Sequence, residues 1–334
     1  MQIVTTPDRF NVPDVFVDLT RLVGQRIFLK CEGFNFAGSI KLKAAVEMID
    51  HAERAGTLRP GSTIVESSSG NLGVALSMVA VSRGYHFICV TDARCTLTAR
   101  QIMRTFGAEV YVVTQPHPVD GLVGARVRRV RQLCADNDDY FWPDQYANTA
   151  NQVAHYTRTG PEILDAFPDL DLLFVGVGTA GTLMGTTRYL REHRPSVRVV
   201  AIDVIGSVTF GGPNLPRMIP GLGSALPSKQ LDVSYVDDVV MVPEVDTVRA
   251  CWHLARSGFL FGGSTGTVIA GASRWYEEHP EAAGGTAVAI GPDFGERYLD
   301  TVYQTQWFTD LYGAEMMDGD HAAPGSTGSE RMSA

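Results

Sequence analysis

The chain has 334 residues, 45% of them hydrophobic, enough for two domains or one large α/β domain. Its 37 acidic and 28 basic side chains leave a net charge of −9, which argues against nucleic acid or an anionic membrane as a partner. No apolar run nears the roughly 20 residues that span a bilayer, and the start, MQIVTTPDRFNVPD, has no secretion signal, so a cytoplasmic protein is expected.

In chain order, the first informative stretch is CEGFNFAGSIKLKAAVEMID, residues 31–50. From Ile40 it reads as an amphipathic helix with Ile40, Ala44, Ala45, Met48 and Ile49 on one face, and Ser39 as its N-cap. Lys41 falls in the first turn, at the positive end of the helix dipole, with Lys43 close behind. Both neighbours disfavour an ammonium at Lys41 and would lower its pKa, as a nucleophilic or Schiff-base lysine requires. A surface lysine is nevertheless usually only a solvated charge.

Short β-rich runs then alternate with helical ones. Strands are predicted at 62–67, 86–92 and 108–114, and again at 170–178, 197–204 and 286–293. Helices are predicted in NLGVALSMVAVSRG, TLTARQIMRTFG, GLVGARVRRVRQLCAD, TLMGTTRYLREHR and TVIAGASRWYEEH. The strands are nearly continuous in apolar residues, which favours parallel sheets covered on both faces. From Tyr312 on, the sequence is small, polar and unpatterned and reads as a disordered tail. The five cysteines are scattered without a CxxC and read as reduced thiols. The histidines form no ligand cluster, so no metal site is expected.

Two strand-to-helix turns are rich in donors. GVGTAGTLMG, residues 176–185, matches GxGxxG at Gly176, Gly178 and Gly181, and the acidic Asp203 ends the next strand. That is the form of a dinucleotide fingerprint, but it equally suits a plain glycine turn or a cradle for a phosphate monoester. ESSSGNLG, residues 66–73, offers three serine hydroxyls, Gly70 and the Asn71 amide, more than one helix cap needs, and suits a carboxylate. In GGSTG, residues 262–266, Ser264 reads by default as the N-cap of the following helix. PDFGERYLDTVY places Pro292 and Asp293 at a strand end, where ligands of open α/β sheets sit.

Taken together, these segments resemble fold-type II pyridoxal-phosphate enzymes of the cysteine synthase family. NFAGSIKLK is similar to that family's N-P-x-G-S-x-K-x-R, SSSGNLG to its T-S-G-N-T-G, and GTAGT to its G-T-G-G-T. GGSTG is similar to its serine-bearing loop, and DQYANTANQVAHYTRTGPEI to its Q-[FY]-x-N-x-x-N…H-Y-x-x-T-G-x-E-I stretch. The resemblance implies the tryptophan synthase β-like fold, two doubly wound α/β domains with pyridoxal 5'-phosphate in the cleft between them. It implies that Lys41 bonds the cofactor and that Asn71 bonds its ring hydroxyl. Gly178, Thr179, Ala180, Gly181 and Thr182 would hold its phosphate, and Ser264 would face its pyridine nitrogen. Ser68, Ser69, Gly70 and Asn71, with Gln145, would hold the substrate carboxylate. A homodimer acting on amino acids is also implied. The expected division is 1–40, an N-terminal segment packing with the larger domain; 41–147, the smaller domain; 148–311, the larger; and 312–334, the tail.

Departures point within the family. Phe36 replaces the usual proline, Lys43 the usual arginine, and Leu72 the threonine typical of cysteine synthases. ESSSGNLG, DVIGSVTFGG, PGLGS, GGSTG and PDFGERYLDTVY instead resemble a branch that joins O-phospho-L-serine to L-glutamate, toward 2,3-diaminopropionate for siderophores or peptide antibiotics. A cysteine synthase using sulfide is the alternative. Phosphate and glutamate both demand cations. Arg217, in NLPRMIPGLGS, ranks first; Arg126, within RVRRVR, reads better as a surface residue; Tyr146 is expected to line the mouth.

Overall fold

The computed structural model describes residues 3–313. The chain opens with β1 (Phe16–Asp18), a short α1 (Thr20–Val23) and β2 (Ile27–Cys31), and then α2 (Lys41–Arg54). There follow β3 (Thr63–Ser67), α3 (Asn71–Arg83), β4 (His86–Asp92), α4 (Leu97–Thr105), β5 (Glu109–Val113), α5 (Gly121–Ala135) and β6 (Tyr140–Phe141). These four strands form one parallel sheet in the order β5-β4-β3-β6. The helices α2, α3 and α4 cover one face with Met48, Ile49, Leu76, Val79 and Met103, all buried.

The second half begins with α6 (Ala150–Ala154), a π-helical turn at His155–Thr159, and α7 (Gly160–Ala166). It continues through β7 (Leu172–Gly176), α8 (Gly181–His193), β8 (Arg198–Val204), β9 (Asp238–Val242), α9 (Glu244–Arg256), α10 (Gly263–Glu278), β10 (Ala287–Gly291) and α11 (Thr305–Tyr312). Its sheet runs β1-β2-β10-β7-β8-β9, parallel except for β1 against β2. Alternate strand residues enter opposite cores: Phe174, Ile202 and Ala289 pack with Trp275 and Val268, while Val175, Ala201 and Ile290 pack with Leu183 and Leu190. Burial on both faces explains why these strands are apolar throughout rather than alternating.

The expected strands and helices are present, within one to four residues at their ends. Four strands were not anticipated. β1 and β6 are too short to carry a pattern, β2 contains the polar Lys30, and β9 is an edge strand with Val239 exposed. Tyr312, expected in the tail, instead closes α11 and donates from its hydroxyl to Glu244 at 2.9 Å. Residues 314–334 lie outside the described residues.

Candidate active site

The carboxyl ends of β3, β7 and β10 face one cavity of about 120 Å³ between the two sheets. Lys41 enters it from the first position of α2. The loop before that helix is folded by Asn35, whose amide donates to the carbonyls of Glu32 and Ser39, both at 3.0 Å. Ile40 N–H then donates to Pro292 O at 2.8 Å, pinning the helix start beside the end of β10. Ser39 is therefore not the cap: its hydroxyl is buried without a partner among the described residues, and Ile40 already has helical angles.

Burial alone lowers the Lys41 pKa, to about 8. The expected contribution from Lys43 is absent because Lys43 turns away into the protein. Its ammonium is buried against Glu32 at 2.9 Å and Glu162 at 2.5 Å, and Lys30 reaches the same two carboxylates at 3.4 and 2.9 Å. Two cations and two carboxylates neutralise one another there, so little field reaches Lys41.

The remaining walls come from the donor-rich turns. Ser68, Ser69, Gly70 and Asn71 line one side. Ser68 Oγ accepts from Gly73 N–H at 2.9 Å, so it caps α3, leaving its own hydrogen for another acceptor. Asn71 is held at both ends of its amide: it donates to Asp293 at 2.7 Å and accepts from Arg297 at 2.6 Å. Gln145 lines the cavity while donating to Ser67 O at 2.7 Å, and Tyr146 follows it. Beneath them Glu66 is wholly buried, and burial raises its pKa to about 7.

Opposite lie Gly178, Thr179, Ala180, Gly181 and Thr182. Ala180 has a φ of +67°, a left-handed turn that aims the amides opening α8 at the cavity. A Cβ on Gly178 would sit 2.8 Å from Gly221 O, so this loop tolerates no side chain there. Ser264 also lines the cavity, but Gly262 occupies the cap position of α10, so the expectation that Ser264 is simply the cap is wrong. Asp203 does not reach a ribose site: it is fully buried, and burial raises its pKa to about 6.

Arg126 is not a surface residue. It is 2% exposed, lines the cavity and lies 3.3 Å from Asp92, with Nε and Nη1 making no hydrogen bond among the described residues. Its place is legible in hindsight, since Val123, Arg126, Val127 and Val130 share the buried face of α5. Arg217 is 6% exposed, with Nε and Nη1 also without a hydrogen bond among the described residues. Burial, then nearby Arg94, lowers its pKa. Sequence reasoning overlooked Arg94 and Arg297, both on the lining. Arg94 follows the carboxyl end of β4, the position where a ligand group is expected.

A lysine whose pKa burial lowers to about 8, an anion cradle at a helix start and a serine-bearing second helix together fit pyridoxal phosphate. The family model described as pyridoxal-phosphate dependent enzyme matches residues 15–293, and the chain belongs to that family. It is 38% identical over 296 residues to the N-(2-amino-2-carboxyethyl)-L-glutamate synthase of Ralstonia nicotianae, covering 87% of each chain. It is 37% identical over 303 residues to the enzyme of that name from Cupriavidus metallidurans, covering 89% of this chain and 88% of that one. Among solved structures, an O-ureido-L-serine-bound mutant of O-ureido-L-serine synthase superposes with a TM-score of 0.84 at 32% identity, over 93% of this chain and 99% of the other. An O-acetylserine dependent cystathionine β-synthase from Helicobacter pylori gives 0.83 at 27%, over 91% and 100%. The chain is thus a pyridoxal-phosphate enzyme of the β-replacement kind, with the fold-type II architecture. The dinucleotide reading of Gly176 to Gly181 is set aside by the family match.

Proposed function

We propose that the chain joins O-phospho-L-serine to L-glutamate, releasing phosphate and N-(2-amino-2-carboxyethyl)-L-glutamate. One observation carries this reading: the charged side chains lining the cavity are Lys41, Arg94, Arg126, Arg217 and Arg297, with no Asp or Glu among the described lining residues. Such a wall suits a phosphate leaving group and a dicarboxylate nucleophile. The printed names of the Ralstonia and Cupriavidus relatives point the same way.

The bound cofactor supplies an electron sink for charge developing at the substrate α-carbon. Gly178 to Thr182 would hold its phosphate, Asn71 its ring hydroxyl and Ser264 its ring nitrogen. Lys41 would carry it, then take the α-proton and later return one. A pKa of about 8 suits both tasks near neutral pH. Ser68, Ser69, Gly70 and Asn71, with Gln145, grip the substrate α-carboxylate. Arg217 takes the leaving phosphate, with Arg126 the second candidate and Tyr146 lining the same cavity. A neutral Ser264 hydroxyl would leave the ring less electron-withdrawing than a carboxylate partner would, which favours elimination at the β-carbon over a long-lived carbanion. The product would feed 2,3-diaminopropionate into siderophore or peptide-antibiotic assembly, made by a cytoplasmic homodimer.

The test is phosphate release from O-phospho-L-serine with L-glutamate, L-glutamine or sulfide as the second substrate. Release coupled to glutamate consumption supports the reading; release with sulfide alone makes the chain a cysteine synthase. Arg217→Ala is expected to raise KM for O-phospho-L-serine by roughly ten- to a hundredfold. KM for O-acetyl-L-serine, which lacks the phosphate, should move much less. Equal changes for both would remove Arg217 from the phosphate site.

A further inference from the structure

A line of buried polar side chains runs from the counter-ion cluster under α2 to the anion cradle. Lys43 Nζ lies 3.3 Å from Thr159 Oγ1. Thr159 Oγ1 lies 3.0 Å from His155 Nδ1, and His155 Nε2 lies 3.2 Å from Thr182 Oγ1. Thr182 lines the cavity; Lys43, Thr159 and His155 are at most 1% exposed. The π-helical turn sets His155 and Thr159 side by side. Gly185 lets α8 approach, since a Cβ there would come within 2.7 Å of His155 Cβ.

We propose that Lys43, Thr159 and His155 form a one-way hydrogen-bond relay that fixes Thr182 as a donor toward the anion held in the cradle. The direction follows from counting hydrogens. An ammonium has three hydrogens to give and accepts none. Lys43 has three acceptors, Glu32, Glu162 and Thr159. Thr159 thus accepts from Lys43, and its own hydrogen has one partner among the described residues, His155 Nδ1. A neutral imidazole that accepts at Nδ1 carries its hydrogen on Nε2. Burial, then Lys43, depresses the His155 pKa to about 3, so the ring is neutral. Nε2–H therefore donates to Thr182 Oγ1, and the Thr182 hydroxyl hydrogen is left for the cavity. The opposite tautomer would strand the Thr159 hydrogen without an acceptor and turn the Thr182 hydroxyl away from the cradle. This inference rests on residues 178–182 holding the cofactor phosphate.

The experiment is long-range nitrogen–proton NMR of His155 in the cofactor-loaded protein, together with the rate of cofactor loss from Thr159→Val and Thr182→Val variants. The expected result is hydrogen on Nε2 alone, and cofactor loss about tenfold faster in both variants, since one charge-assisted hydrogen bond is weakened or removed. Hydrogen on Nδ1, or on both nitrogens, overturns the relay, and this reading needs no variant to fold. Faster loss in Thr182→Val with an unchanged rate in Thr159→Val also overturns the relay but leaves the cradle standing. Unchanged loss in Thr182→Val overturns the cradle, and the relay with it.

Discussion

Replacing Lys41 by alanine is expected to lower turnover by at least about 10⁴-fold, because in the mechanism proposed above one change removes both the covalent anchor and the proton carrier. The same change should not weaken the cofactor-free fold. Among the described residues no acceptor reaches Lys41 Nζ, and burial is the sole cause of its lowered pKa. Its folded pKa of about 8 lies below the ordinary lysine value of 10.5, so between those limits the unfolded chain binds more protons. Stability of the cofactor-free protein should therefore rise across that window, and the penalty of the buried amine is complete below it. Urea unfolding at about pH 7 should find Lys41→Ala more stable by roughly 2 kcal/mol or less, an advantage that fades toward about pH 10. A variant that lost stability at neutral pH would show that Lys41 holds the fold together and is not a strained functional group.

The second large effect concerns Lys43. Lys43→Met should destabilise the protein by about 3–5 kcal/mol, because the fully buried Glu32 and the half-buried Glu162 are left with Lys30 as their one nearby cation among the described residues. Burial pushes the Glu32 carboxyl up, but Lys43 and Lys30 outweigh it and hold its pKa below 4.5. That contribution is complete above the ordinary glutamate pKa and lost as pH falls through the lower folded value. The double change Lys43→Met with Glu32→Leu should recover most of the loss, since an apolar pair of similar volume replaces a desolvated ion pair. Urea midpoints of the single and double variants decide this. A single variant within about 0.5 kcal/mol of the parent would mean that water reaches the cluster.

Much of the site was legible because its chemistry lies in short contiguous runs. SSSGNLG and GTAGT each lie at or just beyond a strand end and open a helix, GGSTG opens α10 after the turn from α9, and each reaches the cavity. The misreadings share a cause, that local pattern does not show which way a charged side chain turns. Lys43 is two residues from Lys41 and was taken for its electrostatic neighbour, yet its partners Glu32 and Glu162 lie on other elements. Arg126 was submerged in a run of arginines, and only its register with Val123 and Val130 marks it as inward-facing. Arg94 contacts its pair, Asp92, from two residues away, a link that looks ordinary until the strand end is seen to open on the cleft. β2 was missed because Lys30 interrupts its apolar run, yet Lys30 is buried by the same carboxylates.

The strand order also bears on how the chain comes off the ribosome. The four-stranded sheet is complete once Phe141 has been made, from strands that neighbour one another along the chain. In the six-stranded sheet β2 lies beside β10, with Cys31 opposite Gly291, so the earliest strands wait for nearly the last. Closing so long a loop is entropically unfavourable and slow. During synthesis, β1 and β2 thus emerge long before their lasting neighbour exists, and Lys41 is delivered on a helix whose far wall has yet to be translated. The cleft, and with it any hold on the cofactor, cannot close until the chain has been made as far as Arg297 and Tyr298.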